Sequence, residues 1–444
     1  MTSDRLNTPG SQAQSALTIA KTLQARGYQA FLVGGCVRDL LLGRTPKDYD
    51  IATDAQPGQV IELFPKANLV GAHFGVLLVE GVEVATFRSD HSYLDGRRPE
   101  GVTFEKDPRQ DVLRRDFTIN ALLLDPESAD LPDPAKGVLD WVGGVADLRA
   151  GVIRAIGLPE SRFQEDHLRM LRAVRFAARL GFTIEPETMA AIRKLRSLIL
   201  RVSPERIRDE LVRILTEGDA RRGFELLDDS GLLEQVLPEV AAMKGVQQPP
   251  QFHPEGDVWI HTLIMLEQMR APTPALAWGI LLHDVGKPGT FRMADRIRFD
   301  GHVELGQELA RSILSRLRIS NEDMDQVIAL IGNHMRFKDA PHMRESTLKR
   351  FMRLNDFDQH LELHRLDCSS SHGQLDNYEF VKSRYETAAI EELLPPRLLT
   401  GHDLIQAGYQ PGPHFSRMLE AVEDAQLEGR IQSKAEALEL VRNL

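Results

Sequence analysis

The sequence predicts an α+β protein: a small mixed-sheet head near the N-terminus followed by an all-α remainder. Two patterns carry this expectation. Between residues 28 and 90, short apolar runs are punctuated by glycine, as in brief strands joined by turns. From about residue 160 onward, apolar residues recur every three or four positions, and no strong strand signal returns. With 444 residues, 42% hydrophobic and 27% charged, the chain can build several buried cores.

Residues 15–27 form an amphipathic pattern that Gly27 ends. Phe31-Leu32-Val33 is an apolar run closed by Gly34-Gly35, and Tyr49 and Ile51 alternate with Asp48 and Asp50. Val76–Val79 and Val82–Ala85, separated by Gly81, read as a hairpin. Leu168, Leu171, Val174 and Ala178 then begin the helical region, which continues through 188–200 and 204–216. Gln247–Pro254, with three prolines, reads as a linker. The expected division is a tail and helix over 1–27, the α/β head over 28–150, and a helical neck and body over 151–246. A second helical unit follows over 255–370, then a helical C-terminal region over 371–444.

Two distant cysteines, Cys36 and Cys368, exclude a disulfide framework and a cysteine-built zinc site, and fit a reducing cytoplasm. The polar N-terminus lacks the apolar core of a signal peptide. No run reaches the roughly 20 apolar residues of a membrane span. No protein partner is expected. The net charge of −11 argues against nucleic-acid binding until its distribution is considered. The stretch from Arg149 to Arg213 is rich in arginine, including Arg162, Arg169, Arg172, Arg175 and Arg179. That stretch is either a phosphate-binding surface or a solvated helical face.

The first chemical constellation spans Phe31 to Asp54. Adjacent glycines at a helix start allow backbone N–H groups to approach a phosphate closely. Asp48 and Asp50, two apart on a strand, point to one face. Two carboxylates on one face can hold Mg²⁺ ions for phosphoryl transfer. Glu83, on a nearby strand, is the candidate third carboxylate; its alternative is a solvent-facing strand residue. Asp-x-Asp alone is weak, and so is Gly-Gly. Their combination on strand, turn, helix and strand is much stronger.

The stretch FLVGGCVRDLLLGRTPKDYDIATDA resembles the signature of class II tRNA nucleotidyltransferases and bacterial poly(A) polymerases. LRRDFTINAL (113–122), EDHLRMLRAVRFAARLGF (165–182) and RIRDEL (206–211) follow in that family's order. The resemblance covers roughly residues 28–245. It implies nucleotide addition to a tRNA or other RNA 3′ end from ATP and CTP, with Mg²⁺ as cofactor. Gly34, Gly35, Arg38, Arg115, Asp116, Asn120 and Arg172 fall in its nucleotide-binding motifs, although Asn120 reads better as the holder of a turn. Asp166 and Arg169, three apart on a helix, would pair with the edge of the incoming base, in place of a template. Asp95, Arg97 and Arg98 resemble the flexible loop of enzymes that add the terminal A. Asp140-Trp141 departs from the family's Asp-Pro before a glycine turn, with consequences for local hinge behaviour only. VGAHFGV (70–76) lacks the basic pair of poly(A) polymerases and so favours CCA addition.

The second constellation is Leu281-Leu282-His283-Asp284-Val285-Gly286-Lys287, with His261 upstream and His302, His334 and Asp367 downstream. Imidazoles and carboxylates together suit a divalent metal. This region resembles the HD phosphohydrolase superfamily. Its metal set maps onto His261, His283, Asp284 and Asp367, with the ion's identity open, so 255–370 would be an HD metal-binding domain. His302 and His334 match positions that recur in active members, and Lys287 is placed to contact a phosphate. Three functions therefore remain: tRNA CCA (or terminal A) addition with an appended HD domain, poly(A) polymerase, and an HD phosphohydrolase whose head merely binds RNA.

Overall fold

The computed structural model describes residues 9–71, 75–90, 101–129, 131, 133–251, 253–389 and 393–444. The chain is 59% helical, with its one sizeable sheet near the N-terminus. It forms two compact units, Met1–Pro238 and Glu239–Leu444. No described helix is long and apolar enough to cross a membrane.

In the first unit, helix α1 (Pro9–Ala25) precedes strand β1 (Ala30–Val33), α2 (Gly35–Leu41), β2 (Asp50–Thr53) and α3 (Pro57–Leu63). Strands β3 (Asn68–Gly71), β4 (Val76–Val79) and β5 (Val82–Thr86) follow, then the ribbon β6 (Arg88–Asp90) and β7 (Val102–Phe104). Helix α4 (Pro108–Leu113) leads to the short strands β8 (Leu123–Leu124) and β9 (Val138–Leu139). The sheet order is β3-β4-β5-β2-β1-β8-β9. Only the β2–β5 pair within it is parallel, so the sheet is mixed as its pattern predicts. Val33, Ala52, Phe87, Val112, Ala121 and Leu123 form a core beneath it. Helices α5 (Gly144–Ala150), α6 (Pro159–Glu165), α7 (Arg169–Leu180), α8 (Pro186–Leu195), α9 (Pro204–Thr216), α10 (Ala220–Asp229) and α11 (Leu232–Val236) follow. Helix α7 buries Leu171, Val174 and Ala178, the positions its periodicity selects.

The second unit packs helices around Pro274–Leu282, every residue of which except its proline is buried. Val258–Gln268, Asn321–Asn333 and Phe357–Ser370 pack against it, and His302–Arg316 packs on Asn321–Asn333. Three C-terminal helices, Gly401–Gln406, His414–Leu427 and Lys434–Arg442, share a small apolar cluster of their own that includes Leu404, Val422 and Val441.

Three differences from the sequence expectation have physical reasons. Two-residue strands do occur beyond residue 160: Thr183–Ile184, and the pair Arg292–Met293 with Ile297–Arg298. A two-residue strand is too short to show alternation. Asp48 lies just outside β2, in an exposed approach to it, because the strand's ladder starts at the Val33↔Asp50 pair. Gln247–Pro254 is not a linker. Gln247 bridges Asp257, and Gln248 N donates to Gly256 O at 2.9 Å, so the loop closes on itself within the second unit.

Candidate functional site

In the first unit, the turn after β1 places Gly34 at φ +76°, a conformation that side chains resist. A Cβ there would sit 3.5 Å from Arg115 and 3.9 Å from Asp50, so this turn faces both charges. Parallel pairing aligns Asp50 with Glu83, which sets two carboxylates side by side on one face. Burial, then the charge of Glu83, raises Asp50 to about 6, with Arg115 opposing and Asp48 adding to the rise. Carboxylates that crowd one another in this way fit a divalent cation, which would relieve their repulsion.

Beside Asp50 opens a cavity of about 450 Å³. Seven arginines line it (38, 114, 115, 169, 172, 179 and 206), against three aspartates (50, 116 and 166). A chain of net charge −11 thus concentrates positive charge at one place, and such a cavity attracts polyanions. Several of these arginines are held by acids. Asp111 takes Arg114 at 2.6 Å and Arg115 at 2.9 Å. Asp116 takes Arg172 at 2.7 Å, and also accepts from Phe117 N and Asn120 Nδ2. Burial would raise Asp116, but Arg172 and Arg169 bring it down to about 2. Arg38 is buried between Asp39 and the side-chain Oδ1 of Asn120, whose Nδ2 donates to Asp116, so Asn120 bridges Arg38 and Asp116.

Asp166 and Arg169 do not share a helix face. Helix α6 ends at Glu165, Asp166 is extended, and α7 begins at Arg169. The bend separates them, and each has another partner: Asp166 pairs with Arg206 at 2.8 Å, and Arg169 with Glu165 at 2.6 Å. Both still line the cavity.

In the second unit, ligand atoms of the described residues gather in three groups of three: His253 with Glu255 and His261, His261 with His283 and Asp367, and Asp284 with His302 and His334. Within each group the atoms lie within 4.8 Å of one another. His283, His302 and His334 each donate Nδ1–H to a backbone carbonyl at 2.7–2.8 Å (Ile280, Phe299 and Ile331). That tether turns Nε2 toward the cluster as the free lone pair. His261 Nε2, His283 Nε2 and His302 Nε2 are buried and make no hydrogen bond among the described residues, although carboxylate oxygens lie 3.1 Å from the first two. Buried nitrogens aimed at carboxylates in this way fit a divalent metal. Burial would lower His261, but Asp367 and Glu255 raise it to about 9. Burial, then the charge of His283, lowers His334 to about 4. Gly286 is what lets the Asp284 segment approach His302: a Cβ there would lie 2.1 Å from His302 O.

The structure brings Asp50, Glu83, Gly34, Gly35, Arg115, Asp116, Asn120, Asp166, Arg169 and Arg172 to one region, with Asp48 at its exposed edge. It also brings His261, His283, Asp284 and Asp367 together, with His283 Nε2 3.1 Å from Asp284 Oδ2 and His261 Nε2 3.1 Å from Asp367 Oδ1. Asp95, Arg97 and Arg98 lie outside the described residues, as does part of the 70–76 stretch. Sequence reasoning missed Asp111, Glu165 and Arg206 as holders of the site. Asp111 was findable, since it sits three and four residues before Arg114 and Arg115 on α4 and its turn. Arg206 lies 40 residues from Asp166 and leaves no local signal.

Comparison with known proteins agrees with this geometry. The family described as Poly A polymerase head domain matches residues 30–154. Probable RNA and SrmB- binding site of polymerase A matches 181–244, and tRNA nucleotidyltransferase domain 2 putative matches 301–441. The CCA-adding enzyme of Levilactobacillus brevis is 31% identical over 429 residues, covering 96% of each chain. That of Streptococcus suis is 30% identical over 98% of this chain and 97% of its own. The crystal structure of the Bacillus stearothermophilus CCA-adding enzyme in complex with CTP superposes with a TM-score of 0.72 at 28% identity, covering 97% of each chain. With its mixed sheet, arginine-lined cavity and end-to-end likeness to these proteins, the chain belongs to the CCA-adding enzyme family of RNA nucleotidyltransferases.

Proposed function

We propose that this protein completes the CCA end of tRNA, or its terminal A, from CTP and ATP. The observation that carries this reading is the cavity of seven arginines opening beside the Asp50–Glu83 pair. Asp48, Asp50 and Glu83 would hold Mg²⁺, which when bound activates the attacking 3′-hydroxyl and neutralises the leaving pyrophosphate. Gly34 and Gly35 offer backbone N–H groups to the triphosphate, and Arg115 faces the same turn. Asp116, kept ionised by Arg172, is an acceptor for a ribose hydroxyl. Asp166 and Arg169 offer one acceptor and one forked donor to the base edge, and Arg206 and Glu165 hold them in place. Relatives named CCA-adding enzymes, one of them solved in complex with CTP, support this reading. The cytoplasm is the matching compartment, since both cysteines are free and buried.

The test is extension of tRNA transcripts ending at the discriminator base, at C and at CC, with CTP and ATP in Mg²⁺. CCA on the first and A on the third is the expected result. Addition of A to the CC-ended transcript alone would mark an A-adding enzyme. Long A tails on any RNA would replace this reading with a poly(A) polymerase. Asp50→Ala should lower incorporation by about 10³-fold, in line with the loss of a main electrostatic group. Incorporation at the wild-type rate would remove Asp50 from the mechanism.

A second reading concerns the other unit and rests on its clustered histidine and carboxylate ligands. There, His261, His283 and Asp367, and Asp284, His302 and His334, would hold divalent ions in an HD phosphohydrolase site. Such ions, when bound, polarise a phosphoryl oxygen and lower the pKa of water. Lys287, buried beside Asp284 at 2.6 Å, contributes positive charge toward a phosphate. Mn²⁺-dependent hydrolysis of bis(p-nitrophenyl) phosphate, lost in Asp284→Ala, is the expected result; a wild-type protein inert toward this ester overturns the reading.

A further inference from the structure

The closed loop over residues 245–257 contributes side chains to the histidine–aspartate cluster. Its ends are pinned by Gly245 N donating to Asp257 Oδ2 at 2.7 Å and by Val258 N donating to Val246 O at 3.0 Å. Closure delivers Glu255, whose Oε1 accepts from His253 Nδ1 at 2.8 Å and lies 2.8 Å from His261 Nδ1. It also delivers Gln248, which is 1% exposed.

A buried carboxamide has an oxygen and an NH₂ group to satisfy. Lys287 Nζ lies 2.6 Å from Gln248 Oε1. An ammonium group can only donate, so chemistry fixes which end of the amide faces it: the oxygen points to Lys287 and the NH₂ points away. That Nε2 finds no acceptor among the described residues. Gln248 lines a cavity of about 720 Å³ that also reaches Asp284, His302 and His334. Lys287, Arg296, Arg298 and Lys338 line the same cavity together with Asp284, Asp300, Glu304 and Asp367, so donors for a phosphate stand beside carboxylates able to hold a cation. The contact that orients Gln248 is coupled to the cluster, because Lys287 Nζ also holds Asp284 Oδ2 at 2.6 Å.

We propose that Gln248 is a substrate-contacting residue of this second site, donating Nε2–H to a phosphoryl oxygen of a phosphate ester bound over the Asp284–His302–His334 group. The proposal rests on the phosphohydrolase reading of that unit. Lys287 acts as the positioning residue that keeps the amide the right way round.

The experiment uses the full chain loaded with Mn²⁺. Inorganic phosphate binding is followed by calorimetry, and bis(p-nitrophenyl) phosphate hydrolysis is resolved into kcat and KM. Gln248→Glu keeps an oxygen for Lys287 but turns the donor into an acceptor. Gln248→Met keeps the volume and removes both polar ends. Mn²⁺ affinity, measured first on each variant, reports an intact fold and cluster. Both variants should bind Mn²⁺ as the wild type does, bind phosphate about 10-fold more weakly or worse, and raise KM for the ester by a similar factor. Wild-type phosphate affinity and KM in both variants would overturn the role of Gln248 while leaving the phosphohydrolase reading intact. Loss of Mn²⁺ binding in both would show that Gln248 acts on the metal cluster, which also overturns substrate contact. A wild-type protein that binds Mn²⁺ but neither phosphate nor ester would sink the phosphohydrolase reading, and this proposal with it.

Discussion

Asp116 keeps a full negative charge almost out of reach of water because Arg172, Asn120 and the Phe117 amide converge on it. Its carboxyl stands at about 2 in the folded chain against the ordinary 3.8. A depressed carboxylate contributes stability above its unfolded value and loses it as pH falls through the folded one. The window for Asp116 is therefore about pH 4 down to about 2, and the contribution is about 2 kcal/mol. Asp116→Asn should lower stability at neutral pH by that amount and flatten this part of the acid-unfolding curve. Denaturant titrations at several pH values check it; parallel curves for variant and wild type would show that the pair adds nothing. The sequence pointed to Asp116 as a polar contact for substrate, and the structure adds that it anchors an arginine from 56 residues away.

Between elements, spacing decides the second site. The segment carrying His283 and Asp284 meets the first turn of His302–Arg316 across Gly286. A methyl group at that position would lie 2.1 Å from His302 O and 2.6 Å from Gly306 N, both backbone atoms that cannot swing aside. Gly286→Ala should therefore cost about 1–3 kcal/mol, as overpacking does. It should also weaken Mn²⁺ binding, because His302 moves with its helix. Thermal unfolding and calorimetry test both; unchanged Mn²⁺ affinity in a destabilised variant would show that the histidine group tolerates the shift. The histidine and aspartate residues were legible as a motif. The pairing of Asp367 with His261, and of Asp284 with His302 and His334, was not, since it depends on which helices meet.

Across the whole molecule, the two candidate sites lie in separate compact units, Met1–Pro238 and Glu239–Leu444. Each unit has its own buried apolar residues, for example Phe87 and Phe117 in the first, Trp278 and Phe351 in the second. The doubly substituted protein His283→Ala, Asp284→Ala should therefore incorporate nucleotides within about twofold of wild type, a difference of under 1 kcal/mol. A large loss of incorporation, measured on the same tRNA transcripts, would mean that the two units work as one machine. The finer division into tail, head, neck and body, metal-binding domain and C-terminal region is a proposal, and its neck and body, 151–246, cross the boundary between Pro238 and Glu239.

The sequence by itself determined the α+β order, the strand–glycine–helix–strand motif around Asp48 and Asp50, and the histidine–aspartate motif at 283–284. These are local patterns, set by side-chain alternation, helical spacing and the backbone freedom of glycine. Tertiary structure alone decided the partners. Glu83 stands beside Asp50 because β2 and β5 pair in one parallel register. Arg206 holds Asp166 because α9 passes the bend between α6 and α7. Gln248 faces a buried lysine because a proline-rich stretch closes into a loop instead of extending as a linker. Each of these contacts joins residues 33 to 40 positions apart, and only the folded chain brings such distant groups within hydrogen-bonding or strand-pairing distance.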